Sequence, residues 1–173
     1  KEGLASNYGD YAKYGYEADA MLTLPFVKST ELMYYNKTAL DALGLEPATT
    51  WDELWSQAKL IKAKYPTATP LGYDSEANWF ITMCEQIGSP YTSADENNHF
   101  LFDNATNKSF VNRLRGWYND GLFTTQTIYG SYTSGLFNTT TEATRSYMSI
   151  GSSAGATKQR PAQDTNGNYP FEV

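Results

Sequence analysis

The stretch Ser29–Leu45, STELMYYNKTALDALGL, begins like a strand and ends like a helix. Two tyrosines and Asn36 mark the change. ELMYYN reads as an apolar strand segment, and KTALDALGL carries Leu40 and Leu43 at helical spacing before Gly44, with Pro47 beyond. A glycine just past the last periodic residue, followed by proline, predicts a helix C-terminus there. Upstream, MLTLPF (Met21 to Phe26) is short, apolar and closed by Pro25, which predicts a buried strand that stops early.

Downstream, TWDELWSQAKLIKAKYP gives the strongest helix signal. Thr50 and Glu53 stand at capping-box spacing, Trp51, Leu54, Trp55, Ala58 and Ile61 form one apolar stripe, and Pro66 ends it. A further helix is predicted in YDSEANWFITMCEQIGS, with Asp74 or Ser75 as N-cap, Phe80, Met83, Cys84 and Ile87 facing the core, and Gly88 closing it. Trp79 lies beside that stripe, at its edge. The stretch from Asn98 predicts a short strand and then a helix with Phe110, Val111, Leu114, Trp117 and Tyr118 inward, ended by Gly121. SGLFNTTTEATRSYMSIGSS predicts a short polar helix running into the strand SYMSI and a Gly-Ser turn, and the C-terminal KQRPAQDTNGNYPFEV an Asn-Gly turn with a last apolar strand. Strands thus alternate with helices and no repeat is visible, which favours an open α/β sheet flanked by helices. Such sheets bind ligands beyond strand ends and at helix N-termini, and that singles out the loops Tyr73 to Trp79 and Gly151 to Gly155.

Composition narrows the function. With 173 residues, 13 Lys plus Arg and 19 Asp plus Glu, the chain suits one compact domain of net charge -6. It has no concentrated basic surface, so nucleic acid is excluded as a partner. One cysteine, Cys84, and one histidine, His99, allow no internal disulfide and no Cys-cluster metal site, so no metal and no cofactor is expected. The chain starts at KEGLASNYGD without an initiator Met or a signal-type segment, as a piece cut from a longer product would. Four Asn-x-Ser/Thr sequons, at Asn36, Asn104, Asn107 and Asn138, are what a chain rich in Asn, Ser and Thr contains by chance.

The run LPFVKSTELMYYNKTALDALGLEPATTWDEL resembles the signature of the family 1 extracellular solute-binding proteins of ABC transporters, a sugar-binding group. The matching pieces are Leu24-Pro25, the strand Leu32 to Asn36-Lys37, and Thr50 to Leu54. More loosely, YNDGLF resembles the end of a family helix and SYMSIGSSAG the strand and turn that line the sugar cleft. The resemblance implies a periplasmic-binding-protein-like (type II) lobe with a small, mainly parallel sheet. Residues 1–31 would be a remnant of a first lobe leading to the hinge, and residues 32–173 a second, C-terminal lobe, incomplete at its C-terminal end. It also implies an extracytoplasmic protein, periplasmic or a cell-surface lipoprotein, that takes a small solute, an oligosaccharide above all, between two lobes and delivers it to the ABC permease in the membrane.

The same resemblance supplies site candidates. Glu76, Asn78 and Trp79 fall where maltose-binding members carry Glu-Pro-Tyr with a sugar-stacking aromatic; here Asn78 takes the aromatic's place and Trp79 is its neighbour. Trp79 is read either as a stacking platform or as a core-edge aromatic, and Glu76 either as a hydroxyl partner or as a first-turn carboxylate that complements the helix dipole. Gly151, Ser152 and Ser153 are read either as a ligand-binding turn or as a capped helix start, Ala154 standing where the family often has Trp. Of Tyr34 and Tyr35, which alternate faces, Tyr35 is assigned to the cleft. Trp51, Trp55 and Trp117 are read as core, and His99 as a solvated loop residue. Two other functions remain open: a binding protein for a non-sugar solute such as a peptide or organic anion, and a glycoside-acting enzyme. The second would need a carboxylate pair across a cleft, and Asp10, Asp74, Glu76 and Asp95 come without a motif.

Overall fold

A computed structural model describes residues 21, 22, 24, 26–93 and 97–173. Strand β1 (Glu31–Tyr35) leads through Asn36 into α1 (Lys37–Ala42), and α2 (Trp51–Lys64), β2 (Leu71–Tyr73), α3 (Glu76–Gln86) and α4 (Ala105–Asn119) follow. Then come β3 (Phe123–Thr125), the short helices α5 (Gln126–Tyr129) and α6 (Ser134–Phe137), and β4 (Met148–Ser152), which runs into a 3-10 segment, Ser153–Lys158. The four strands form one sheet in the order β1-β4-β2-β3. Strand β2 pairs parallel with β3 and with β4, whereas β1 pairs antiparallel with β4, Glu31 opposite Ser152 and Tyr35 opposite Met148. Helices flank this small sheet, so the chain is a mixed α/β domain.

Local chemistry sets the helix starts. The Asn36 side chain accepts from the Ala39 N–H at 2.9 Å, so a buried asparagine ends β1 and caps α1 in one residue. The Thr50 hydroxyl accepts from the Glu53 N–H while the Glu53 carboxylate accepts from the Thr50 N–H, the predicted capping box. Ser75 rather than Asp74 caps α3, and Asn104 caps α4.

The core gathers Leu40 from α1, Leu54, Ala58 and Ile61 from α2, and Leu114 and Trp117 from α4 against Leu71, Tyr73, Met148 and Ile150 of the sheet. Trp55 stacks on Trp117 with ring centroids 4.7 Å apart, which locks α2 to α4. Leu71 and Tyr73 face this core, and Gly72 between them faces Thr133 on the other side of the sheet. There α6 buries Phe137, whose ring meets Phe171 edge-on at 5.9 Å.

Several elements differ from expectation. Met21, Leu24 and Phe26 are exposed, so MLTLPF is not a buried strand; Phe26 is 98% exposed, and Thr23 and Pro25 lie outside the described residues. The strand expected around Phe100 is a single bridge between Thr92 and Phe100. Met83, Leu114 and Trp117 are buried as expected, but Phe80 and Ile87 are half-buried, Ile87 because it is already the C-cap residue. On α4 the inward stripe is Asn107, Phe110, Leu114 and Trp117 at spacings of three, four and three, which turns Val111 and Tyr118 to solvent. The C-terminal segment has the Asn-Gly turn, with Gly167 at φ 83, but no strand. Strands β2 and β3, three residues each, carry no recognisable alternation of their own.

A Cβ placed on Gly72 would lie 2.6 Å from the Thr133 Cβ, buried and unable to withdraw. Gly72→Ala should therefore destabilise the fold by about 1–3 kcal/mol, the usual range for overpacking, measured by urea denaturation. An unchanged midpoint would show that α6 can slide away at no cost.

Candidate functional site

Strands β2, β3 and β4 point the same way, so their C-terminal ends, Tyr73, Thr125 and Ser152, reach one edge of the sheet. The antiparallel β1 begins at that edge, with Glu31 beside Ser152. A cleft of about 680 Å³ opens there, within the size range of small-solute pockets. Residues following β2 (Asp74, Ser75, Asn78), the last residue of β4 (Ser152) and residues beyond it (Ala154, Gly155, Lys158), the Ser131-Tyr132 turn and Glu31 form its walls.

Asp74 organises these walls. Its Oδ1 accepts from the Thr133 N–H at 2.6 Å, from the Thr133 hydroxyl at 2.7 Å and from the Ser134 N–H at 3.3 Å. Its own N–H donates to the Ile150 carbonyl at 2.9 Å, which extends the pairing of β2 with β4 by one residue. Two glycines make room for the carboxylate bridge. A Cβ on Gly151 would stand 2.7 Å from the Asp74 Oδ2, and Gly72 leaves the space that Thr133 fills. The bridge fixes the turn that carries Tyr132, which stands 63% exposed on the cleft wall.

Glu31 occupies the opposite rim. Its Oε1 accepts from the Asn78 amide at 3.2 Å. Its Oε2 is enclosed without a hydrogen bond of good geometry, and the Tyr73 hydroxyl nearby is in the same condition. Burial first, and then the neighbouring Glu31 carboxylate, push the Tyr73 phenol well above its ordinary pKa.

The sequence-derived candidates distribute unevenly. Asn78 and Ser152 line the cleft. Ser152 also caps the 3-10 segment by accepting from the Ala154 N–H at 3.2 Å. Gly151 is buried beneath Asp74, and Ser153 is tied to Thr30 by two hydrogen bonds, its N–H to the Thr30 carbonyl and the Thr30 N–H to its hydroxyl. Glu76 lies at the start of α3 and accepts from the Thr127 N–H at 2.7 Å, linking α3 to α5. Burial raises its pKa, but hydrogen bonds from Thr125 and Thr127 outweigh that and hold the carboxyl below its ordinary value. Trp79 is half-buried against the core, edge-on to Phe80 at 6.2 Å, with its Nε1 enclosed and unpartnered. Tyr35 also packs on the core, while Tyr34 donates its hydroxyl to the Ser152 carbonyl at 3.1 Å.

Glu31, Tyr132 and Lys158 were not among the candidates. Glu31 had a local signal, a charge at the head of an apolar strand. Tyr132 had none, because the contact that positions it spans 59 residues. Chemically the walls offer hydroxyls, amides, two carboxylates, one lysine and one aromatic face. No cluster of His, Cys, Asp or Glu among the described residues is arranged to hold a metal ion. Cys84 is buried in the core-facing side of α3, where burial raises its thiol pKa. The arrangement suits recognition of a polar solute.

The comparisons with known proteins give this arrangement its class. Residues 4–172 match the model described as bacterial extracellular solute-binding protein, and the chain belongs to that family. Among curated proteins it is similar to the sn-glycerol-3-phosphate-binding periplasmic proteins UgpB of Brucella abortus and Brucella suis, each 39% identical over 70 residues. The protein of that name from Rhizobium meliloti is 37% identical over 70 residues. Each alignment covers 39% of this chain and 16% of the relative. A family of bacterial extracellular solute-binding proteins places the protein outside the cytoplasm. The names on both comparisons are those of binding proteins.

Two outcomes follow from the wall geometry. Asp74→Ala would leave the Thr133 and Ser134 donors unpaired and should lower stability by roughly 1–3 kcal/mol, read by thermal denaturation. A change within error would show that water replaces the carboxylate. Because the folded Glu76 titrates below its ordinary value, its stabilisation is complete above that value and disappears as pH falls through the lowered one. Glu76→Gln should therefore weaken the acid-side loss of stability, and an identical pH profile would remove Glu76 from that account.

Proposed function

We propose that this chain is the second lobe, with its hinge approach, of a two-lobed type II binding protein that takes a neutral carbohydrate into an inter-lobe cleft and presents it to an ABC permease. The observation that carries this reading is the wall itself. Hydroxyl and amide groups, Ser75, Asn78, Ser134 and Ser152 among them, surround one exposed aromatic ring, Tyr132. A sugar needs that combination, because its C–H face packs on an aromatic ring while its hydroxyls require fixed polar partners. Asn78, Ser152 and the Gly151-Ser153 turn belong to the solute site on this reading. Trp79, Glu76 and Tyr35 support it from behind, Trp79 by packing and Glu76 by holding α5.

A second reading follows from the UgpB names, which give a phosphorylated polyol as the solute of those proteins. Lys158 on the cleft wall is the feature that favours it. Against it stand Glu31 and Asp74, so that carboxylates outnumber the cation among the described lining residues. The peptide and glycosidase readings have less support, since the cleft is rich in small polar groups and both Asp74 and Glu76 are already bound to backbone N–H groups.

Calorimetry on the whole protein tests the sugar reading. Tyr132→Ala should weaken carbohydrate binding by about 1–3 kcal/mol, whereas Trp79→Ala should lower the melting temperature and change affinity far less. The reverse pattern would return the stacking role to Trp79.

A further inference from the structure

We propose that Glu31 sets the charge selectivity of the cleft: its carboxylate accepts a hydroxyl of a neutral polyhydroxyl solute and excludes solutes that carry a phosphate. The proposal rests on the preceding assignment of the cleft as the solute site and adds the residue that decides between two solute classes.

Three features of Glu31 carry it. The first is position. As the first residue of the edge strand β1, paired with Ser152, Glu31 stands where β4 ends and gives way to the 3-10 segment that carries Lys158 along the cleft. The second is its hydrogen bonding. Asn78 holds one carboxylate oxygen from α3, and the other is enclosed without a partner of good geometry. The Oε1 that accepts from Asn78 has a second lone pair, and a solute hydroxyl entering the cleft that Glu31 lines can donate to it. The hydroxyl of a protonated Tyr73 close behind it can donate but cannot remove the charge.

The third feature is charge balance. Asp74 also lines the cleft, but three donors from Thr133 and Ser134 already stabilise its negative charge. Glu31 accepts from the Asn78 amide at 3.2 Å, with the Tyr73 hydroxyl its other neighbouring donor, so more of its charge is felt by an incoming anion. The cation on the wall, Lys158, is exposed, and water screens its attraction more than it screens a half-enclosed carboxylate. A phosphate entering the cleft thus meets repulsion that grows as the site dries, because charge interactions strengthen when water is excluded. A neutral solute meets only the acceptor. Charge selection by repulsion is a means of discrimination that good contacts alone do not supply.

The test uses the whole protein that carries this chain, as wild type and as Glu31→Gln, titrated calorimetrically with glycerol, glucose and maltose in one arm and sn-glycerol 3-phosphate in the other. Removing the charge while keeping the shape should raise the affinity for sn-glycerol 3-phosphate at least about tenfold. It should weaken the best neutral ligand by a similar factor, since an amide is a poorer acceptor than a carboxylate. A Glu31→Gln protein that shows no gain for sn-glycerol 3-phosphate, including one that binds none measurably, overturns the proposal. Failure of the wild type to bind any of the three neutral compounds counts against the sugar reading instead, whatever the phosphate arm shows. Melting curves accompany each titration, and Glu31→Ser, which also removes the charge, takes the place of Glu31→Gln should that variant unfold.

Discussion

The bridge from Asp74 to Thr133 and Ser134 is the interaction on which the cleft end of the molecule depends. One carboxylate oxygen gathers donors from a turn that is remote in sequence and holds that turn over the ends of the central strands. The fold makes this possible by omitting side chains at Gly72 and Gly151, where backbone must pass close to Thr133 and to Asp74. A desolvated carboxylate is costly unless it is fully hydrogen-bonded, so loop, strand and glycines form one mutually required set. Without it the sheet keeps its hydrophobic face, but the cleft loses a wall.

Sheet topology explains why the cleft lies where it does. Parallel pairing brings the ends of three strands to one edge, and the antiparallel β1 adds its beginning to the same edge. Side chains from four parts of the chain, well separated in sequence, meet there. The helices that pack the other face, α2 and α4, contribute rigidity through Trp55 and Trp117 and leave the cleft to loops and helix starts.

Much of the fold was legible because its signals are local. Asn36, Thr50 with Glu53, and the glycines at 44, 88 and 121, all at positive φ, act within a single turn, so their types and spacing declare helix ends. The family resemblance, too, came from a contiguous run. The three-residue strands β2 and β3 were not legible, since a run that short shows no period and is a strand only because β4 and its neighbours supply hydrogen bonds. MLTLPF misled for a related reason: apolar composition predicts burial, yet Leu24 and Phe26 find no cover among the described residues. In the cleft, Asn78 and Ser152 were found as helix-start and turn residues, whereas Tyr132 depends on a contact that no local pattern encodes.

The placement of the tryptophans has an optical consequence. Trp51, Trp55 and Trp117 form a contiguous ring cluster, with Trp117 6.1 Å from Trp51 and 4.7 Å from Trp55, and none of the four indoles lines the cleft. At such separations excitation passes readily between rings, so the clustered indoles emit as one unit whose colour reports the seam between α2 and α4. Trp79, one residue from the cleft-lining Asn78 and packed on the core, stands outside that cluster. Native fluorescence therefore comes from a coupled cluster at the seam of the scaffold and from a separate indole next in sequence to the cleft-lining Asn78.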